Sequence, residues 1–71
     1  MEKFISKRNS KKYGFNKGDT FSVLRTIIGE CVLIAEDEQK PNIIMSENRV
    51  RYYGKLTGIP TMGWGINHGK D

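Results

Sequence analysis

A chain of 71 residues holds one domain at most, and with a single cysteine, Cys31, and a single histidine, His68, it can build neither a disulfide framework nor a four-ligand structural zinc site. Twelve Lys and Arg against eight Asp and Glu leave a net charge of +4 and a pI of about 9.4, a balance that favours an anionic partner such as nucleic acid. No apolar run approaches the length of about 18 residues that a membrane span needs, and no apolar segment of signal-peptide length follows the basic start, so the expected setting is the cytoplasm with no membrane contact.

Residues 1–18 carry six cations, Lys3, Lys7, Arg8, Lys11, Lys12 and Lys17, against Glu2 alone, a charge of +5 that exceeds the excess of the whole chain. Phe4 and Ile5 can pin the beginning to a core, but residues 6–12 include no apolar side chain. The segment therefore reads as a flexible basic N-terminal arm, and residues 19–71 as a small β domain with a Gly-rich C-terminal segment. Residues 13–19, across the end of the arm, combine aromatics with turn formers, the composition of a loop leading into the first long strand.

For residues 20–38 a helix and a hairpin compete, because Leu24, Ile28, Cys31 and Ala35 fall at helical spacing behind a possible Asp19 or Thr20 cap. The hairpin is preferred. Val23, Thr26, Ile27, Ile28, Val32 and Ile34 are β-branched, Gly29 would interrupt a helix, and Glu36, Asp37 and Glu38 would crowd its negative end. A two-residue turn at Gly29 and Glu30 sets Ile28 opposite Cys31, Thr26 opposite Leu33 and Leu24 opposite Ala35 on the core face. The other face then holds Phe21, Val23, Arg25, Ile27, Val32, Ile34 and Glu36, with Arg25 and Glu36 close enough to pair; its apolar residues make it a possible homodimer surface. Cys31, inside the apolar run, reads as a small core residue rather than a nucleophile.

After a polar connection closed by Pro41 and Asn42, residues 43–45 resume a strand that can pair with the apolar run, and residues 46–48 form a turn. Arg49-Val50-Arg51-Tyr52-Tyr53 alternates like a strand, with Arg49, Arg51 and Tyr53 on one face, and Gly54 ends it. The remainder reads as loop with at most one short strand in residues 59–64, Trp64 plugging the end of the core and His68 in a disordered tail. The expected fold class is all-β: a small antiparallel sheet, or a five-stranded barrel of the Src-homology-3-like or oligonucleotide-binding kind.

Two constellations bear on function. Lys7, Arg8, Lys11 and Lys12 can neutralise phosphates while Arg49, Arg51 and Tyr53 present guanidinium planes and a ring to bases, which points to a non-enzymatic module that binds RNA or DNA. The alternative partner is a host protein, bound by a small phage- or plasmid-type regulator through an edge strand or apolar patch. The second constellation, Gly58-Ile59-Pro60-Thr61-Met62-Gly63-Trp64-Gly65-Ile66-Asn67-His68 preceded by Tyr52 and Tyr53, resembles the Thr-Ile-Gly-aromatic-Gly-His stretch of phage-type lysozymes. In that family a catalytic Glu and an Asp precede the Thr; those positions fall here on Ser46, with Glu47 one residue late, and on Lys55, and His68 comes two residues late. The resemblance thus implies a truncated remnant without the carboxylate pair that glycoside hydrolysis requires. No catalytic residue, cofactor or metal site is expected, since Glu36, Asp37 and Glu38 point alternately to opposite sides of a strand end.

Overall fold

A computed structural model describes residues 1–37, 39–60 and the backbone of 62–64. Among the described residues the fold is all-β with one short helix: β1 (Glu2–Ser6), β2 (Thr20–Thr26), β3 (Glu30–Ala35), β4 (Ile43–Ser46), α1 (Glu47–Tyr53), β5 (Gly54–Thr57) and β6 (Met62–Trp64). Five strands run antiparallel in the order β4-β3-β2-β1-β5, and β6 pairs in parallel with the end of β2. Of the two expected forms, the structure shows the antiparallel sheet.

Strand alternation sends one set of side chains to a single face. The rows Phe4–Phe21–Ala35, Val23–Leu33 and Cys31–Met45 follow from the register of neighbouring strands. Over this face lie Val50 of α1 and Phe15 of the loop between β1 and β2, and both are buried. Phe15 meets Phe4, Phe21 and Tyr53 edge-on at 5.5–5.9 Å, the geometry in which the positive rim of one ring faces the negative face of another. Each fully buried side chain of this size contributes roughly 1.5–3 kcal/mol through burial, so three phenylalanines carry much of so small a core. Cys31 is fully buried, as expected, and burial raises its thiol pKa, keeping it protonated and unreactive.

The β2–β3 hairpin turns where it is expected to, but in a different register. Arg25 lies opposite Cys31, Val23 opposite Leu33 and Phe21 opposite Ala35, an offset of three residues. The reason is the turn: Ile27, Ile28 and Gly29 form a three-residue loop in which Gly29 N–H donates to Thr26 O at 3.1 Å and Glu30 N–H to Thr26 Oγ1 at 3.0 Å. Gly29 takes φ of +88°, so its left-handed conformation closes the third position of the loop rather than the first of a tighter turn. An odd offset exchanges the faces of one strand relative to the other. Phe21, Val23 and Arg25 therefore join Cys31 and Leu33 inside, while Leu24, Val32 and Ile44 form a row on the opposite face. Arg25 consequently pairs with Glu2 and Glu47 rather than Glu36.

Two further expectations are corrected. Residues 1–18 are not an arm beside the domain: β1 is hydrogen-bonded on both edges, to β2 and to β5, with Phe4 fully buried between Phe21 and Leu56. Phe4 and its alternating neighbours Glu2 and Ser6 suffice for an inner strand, and the apolar-free stretch behind them is tied down by polar groups. Ser6 N–H donates to Asp19 O at 2.9 Å, Gly18 N–H to Ser6 O at 2.8 Å, and Ser10 pairs with Phe15 in an isolated bridge. Residues 49–53 are not a strand but most of α1, for which Ser46 is the cap: its hydroxyl accepts from Arg49 N–H at 3.3 Å, with Glu47 in the first turn.

Gly54 follows the last residue of α1 and at once begins β5. There the backbone passes so close to β1 that an added Cβ would overlap the Ile5 carbonyl oxygen and stand 2.6 Å from Phe4 Cε1. Gly54→Ala should therefore cost about 3 kcal/mol, the upper end for overpacking, because an inner strand cannot shift aside. A urea midpoint lowered by about 1–3 M, that energy divided by the m-value of a small domain, is the expected reading; an unchanged midpoint would disprove the close approach.

Candidate nucleic-acid interface

The loop after β1 docks on α1, and that contact assembles most of the cations singled out in the sequence. Lys7 N–H donates to Tyr53 O at 2.8 Å, holding the start of the loop against the end of the helix. Arg8 then lies over Tyr52: its Nε–H donates to Tyr52 O at 3.0 Å and its guanidinium carbon stands 4.4 Å from the ring centroid. Further along, Arg49 Nη1–H donates to Tyr13 Oη at 3.2 Å, and Lys12 Nζ lies 5.5 Å from the Tyr13 ring centroid. The Tyr13 hydroxyl raises the Arg49 pKa, so the guanidinium stays cationic at any physiological pH. Lys11 is exposed on the same turn of the loop.

A helix redistributes the face expected of a strand. Residues two apart lie on different sides of a helix, so Arg49 turns toward Tyr13 while Arg51 turns toward Glu47. Arg51 donates to Glu47 Oε2 through Nε at 3.0 Å and Nη2 at 2.7 Å, while Glu47 Oε1 accepts from Arg25 Nη1 at 2.6 Å. The bonds from Arg51 and then Arg25 hold the Glu47 carboxyl below its usual pKa. Arg25 in turn grips Glu2 with two bonds of 2.9 Å, and these two carboxylates raise the pKa of its guanidinium. A chain of alternating charge, Glu2–Arg25–Glu47–Arg51, thus fastens α1 to β1 and β2 and partly neutralises Arg51.

Tyr53 is not presented to the exterior as expected. Its ring packs edge-on against Tyr13 and Phe15 and is half-buried in the aromatic cluster. Its neighbour Tyr52, 60% exposed, is the ring on the surface. The exchange follows from the helix: Val50 points into the core, and Tyr53, three residues on, follows it inward. A sequence signal for this existed in Ser46 followed by Glu47, and in Glu47 and Arg51 spaced for a helical ion pair.

Two open pockets flank Tyr52. One of about 400 Å³ is lined by Lys7, Arg8, Arg51, Tyr52 and Gly54; the other, about 410 Å³, by Ser46, Asn48, Arg49, Tyr52 and Tyr53. Among the described residues no group of His, Cys, Asp and Glu could hold a metal ion, and no helix is long and apolar enough to cross a membrane.

No family model, curated protein or solved structure matches the chain. Of the stretch that resembles phage-type lysozymes, Thr61 and His68 lie outside the described residues, as does the Trp64 side chain; Glu38 of the acidic run lies outside them too. Ser46, at the family's Glu position, caps α1, and Lys55, at its Asp position, is exposed on β5.

Proposed function

We propose that this protein is a non-enzymatic, cytoplasmic nucleic-acid-binding module in which Lys7, Arg8, Lys11, Lys12 and Arg51 hold phosphate while Arg49 and Tyr52 meet base or sugar. The observation that supports this reading most is the docking of the cationic loop on α1 around an exposed tyrosine, which brings cations distant in sequence onto one face. Each cation that replaces a counterion on a phosphate adds to the salt dependence of binding. Affinity for a mixed-sequence oligonucleotide should therefore fall steeply between about 50 and 200 mM salt. Replacing the four loop cations with Gln should reduce the slope of log affinity against log salt by about 3. Affinity indifferent to salt, or unchanged in the fourfold variant, would remove the basis of this proposal.

A protein partner is the second reading, favoured by a different surface. β4 ends the strand path with Ile44 58% exposed, and the hairpin tip exposes Ile27 and Ile28 at 66% and 76%. The exposed Ile44, with Ile27 and Ile28 at the hairpin tip, would equally serve a second copy of the chain. Specific co-purification of a protein after nuclease treatment would favour the first of these occupants, and a dimer mass in gel filtration the second.

A further inference from the structure

We propose that the interface takes single-stranded nucleic acid rather than duplex, one nucleotide at a time at Tyr52, with its base in the pocket of Asn48 and Arg49 and its phosphate in the pocket of Lys7, Arg8 and Arg51. This inference rests on the nucleic-acid reading above and adds its substrate class. Tyr52 lines both pockets and is the wall between them. Their linings differ in chemistry. Among the described residues, the pocket of Lys7, Arg8 and Arg51 has no carboxylate in its lining, and although Arg51 is shared with Glu47, Lys7 and Arg8 are not paired with an acid there, a composition that suits a phosphate. The other contains the Ser46 hydroxyl, the Asn48 amide and the Arg49 guanidinium, groups that donate to and accept from the edges of a base. Two concavities of nearly equal volume that share Tyr52, one lined to suit a base and the other a phosphate, repeat the order of groups along a strand whose bases are unstacked.

The wall itself is prepared for stacking. Arg8 is held over Tyr52 by a hydrogen bond to that residue's own carbonyl, so ring and guanidinium form an ordered stack before any ligand arrives. Base stacking on aromatic and guanidinium planes tolerates any base and requires one freed from its neighbours. Duplex offers no such base. Nor is α1 built to enter a groove: it spans seven residues, about 10 Å, buries Val50 against the sheet and passes at once into β5.

Fluorescence anisotropy with labelled oligo-uridine RNA, oligo-thymidine DNA and a duplex, each of about 12 nucleotides or base pairs, tests this at matched salt. Single strands should bind at least about tenfold more tightly than duplex, and comparing the RNA with the DNA shows whether the 2′-hydroxyl contributes. Tyr52→Ala should weaken single-strand binding about tenfold without changing the salt slope, while Tyr52→Phe, which keeps the ring, should retain it. Because Tyr52 is exposed, both variants should fold; should circular dichroism show otherwise for Tyr52→Ala, Tyr52→Leu supplies the same comparison. Equal affinity for duplex, or a Tyr52→Ala variant that binds like the wild type, overturns the single-strand inference while leaving salt-dependent binding intact. Absence of salt-dependent binding to all three probes overturns both readings.

Discussion

Removing residues 1–18 should leave a chain that does not fold. The expected result is a far-ultraviolet circular dichroism spectrum and a proton NMR spectrum without the dispersion of a β protein, at any temperature above freezing. β1 is hydrogen-bonded on both edges, so its loss strips partners from β2 and β5 and splits the five-strand path. The deletion also removes Phe4 and Phe15, two of the three buried phenylalanines. Truncating one buried Phe to Ala commonly costs about 3–5 kcal/mol, and a domain of this length has a total stability of roughly 4–11 kcal/mol. Losing both rings together with a strand exceeds that margin. A shortened chain that kept the native spectrum would show residues 1–18 to be an appended arm after all, and the docking of Arg8 and Lys7 on α1 would lose its structural basis.

Arg25→Met should be the most damaging single exchange among the charged residues, lowering stability by about 3 kcal/mol, toward the lower end for breaking a buried ion pair. The cost arises from what remains: Glu2 is 3% exposed, and its two charge-assisted bonds come from Arg25. A carboxylate left there without its cation must stay desolvated or take up a proton. Arg25 itself keeps some contact with water, at 17% side-chain exposure, which is why the lower end applies. The double variant Glu2→Leu with Arg25→Met should recover most of the loss, since replacing both partners leaves no orphaned charge. Urea midpoints of the wild type, both single variants and the double variant measure the coupling; additive losses would mean that the Glu2–Arg25 pair has no special weight. In the wild type, the lowered pKa of Glu47 implies a contribution present above the ordinary carboxylate value and lost as pH falls through the lower folded value. Arg25→Met deletes one of the two guanidinium partners behind that lowering and so should reduce this acid-side loss.

The same network connects stability with the proposed interface. Glu47 sits between Arg25, which belongs to the core side of the sheet, and Arg51, which lines the cationic pocket. The helix that carries Tyr52 is thus clamped from beneath by an ion-pair chain and from the side by the loop after β1. A binding surface built on an element with two independent supports loses little freedom when a ligand is bound, which conserves affinity.

Much of the fold was legible from local pattern. β-branched composition distinguished strands from a helix in residues 20–35, the polar connection and residues 43–45 fell where expected, and Cys31 was identified as core from its apolar neighbours. The convergence of charge on residues 1–18 was also visible, and Lys7, Arg8, Lys11 and Lys12 remain at the centre of the proposed interface. Less legible was α1, because an alternation of five residues is too short to separate period two from period three and a half. Only the Ser46 cap and the Glu47–Arg51 spacing carried the distinction.

What the sequence by itself determined was the set of strongly patterned segments: a β-rich chain, one hairpin turning near Gly29, and an excess of cations near the start. Tertiary structure decided the rest. Whether a loop of two or three residues closed the hairpin set which side chains of β2 faced inward, and a turn conformation with Gly29 at positive φ is a property of the packed backbone, not of residue type alone. Whether residues 2–6 were arm or inner strand depended on Phe4 finding Phe21, Leu56 and Phe15, partners that lie 11 to 52 positions away and that no local pattern can specify. And the surface tyrosine proved to be Tyr52 rather than Tyr53, because the helix had to turn Val50 and Tyr53 toward the core, which left the neighbouring ring facing water.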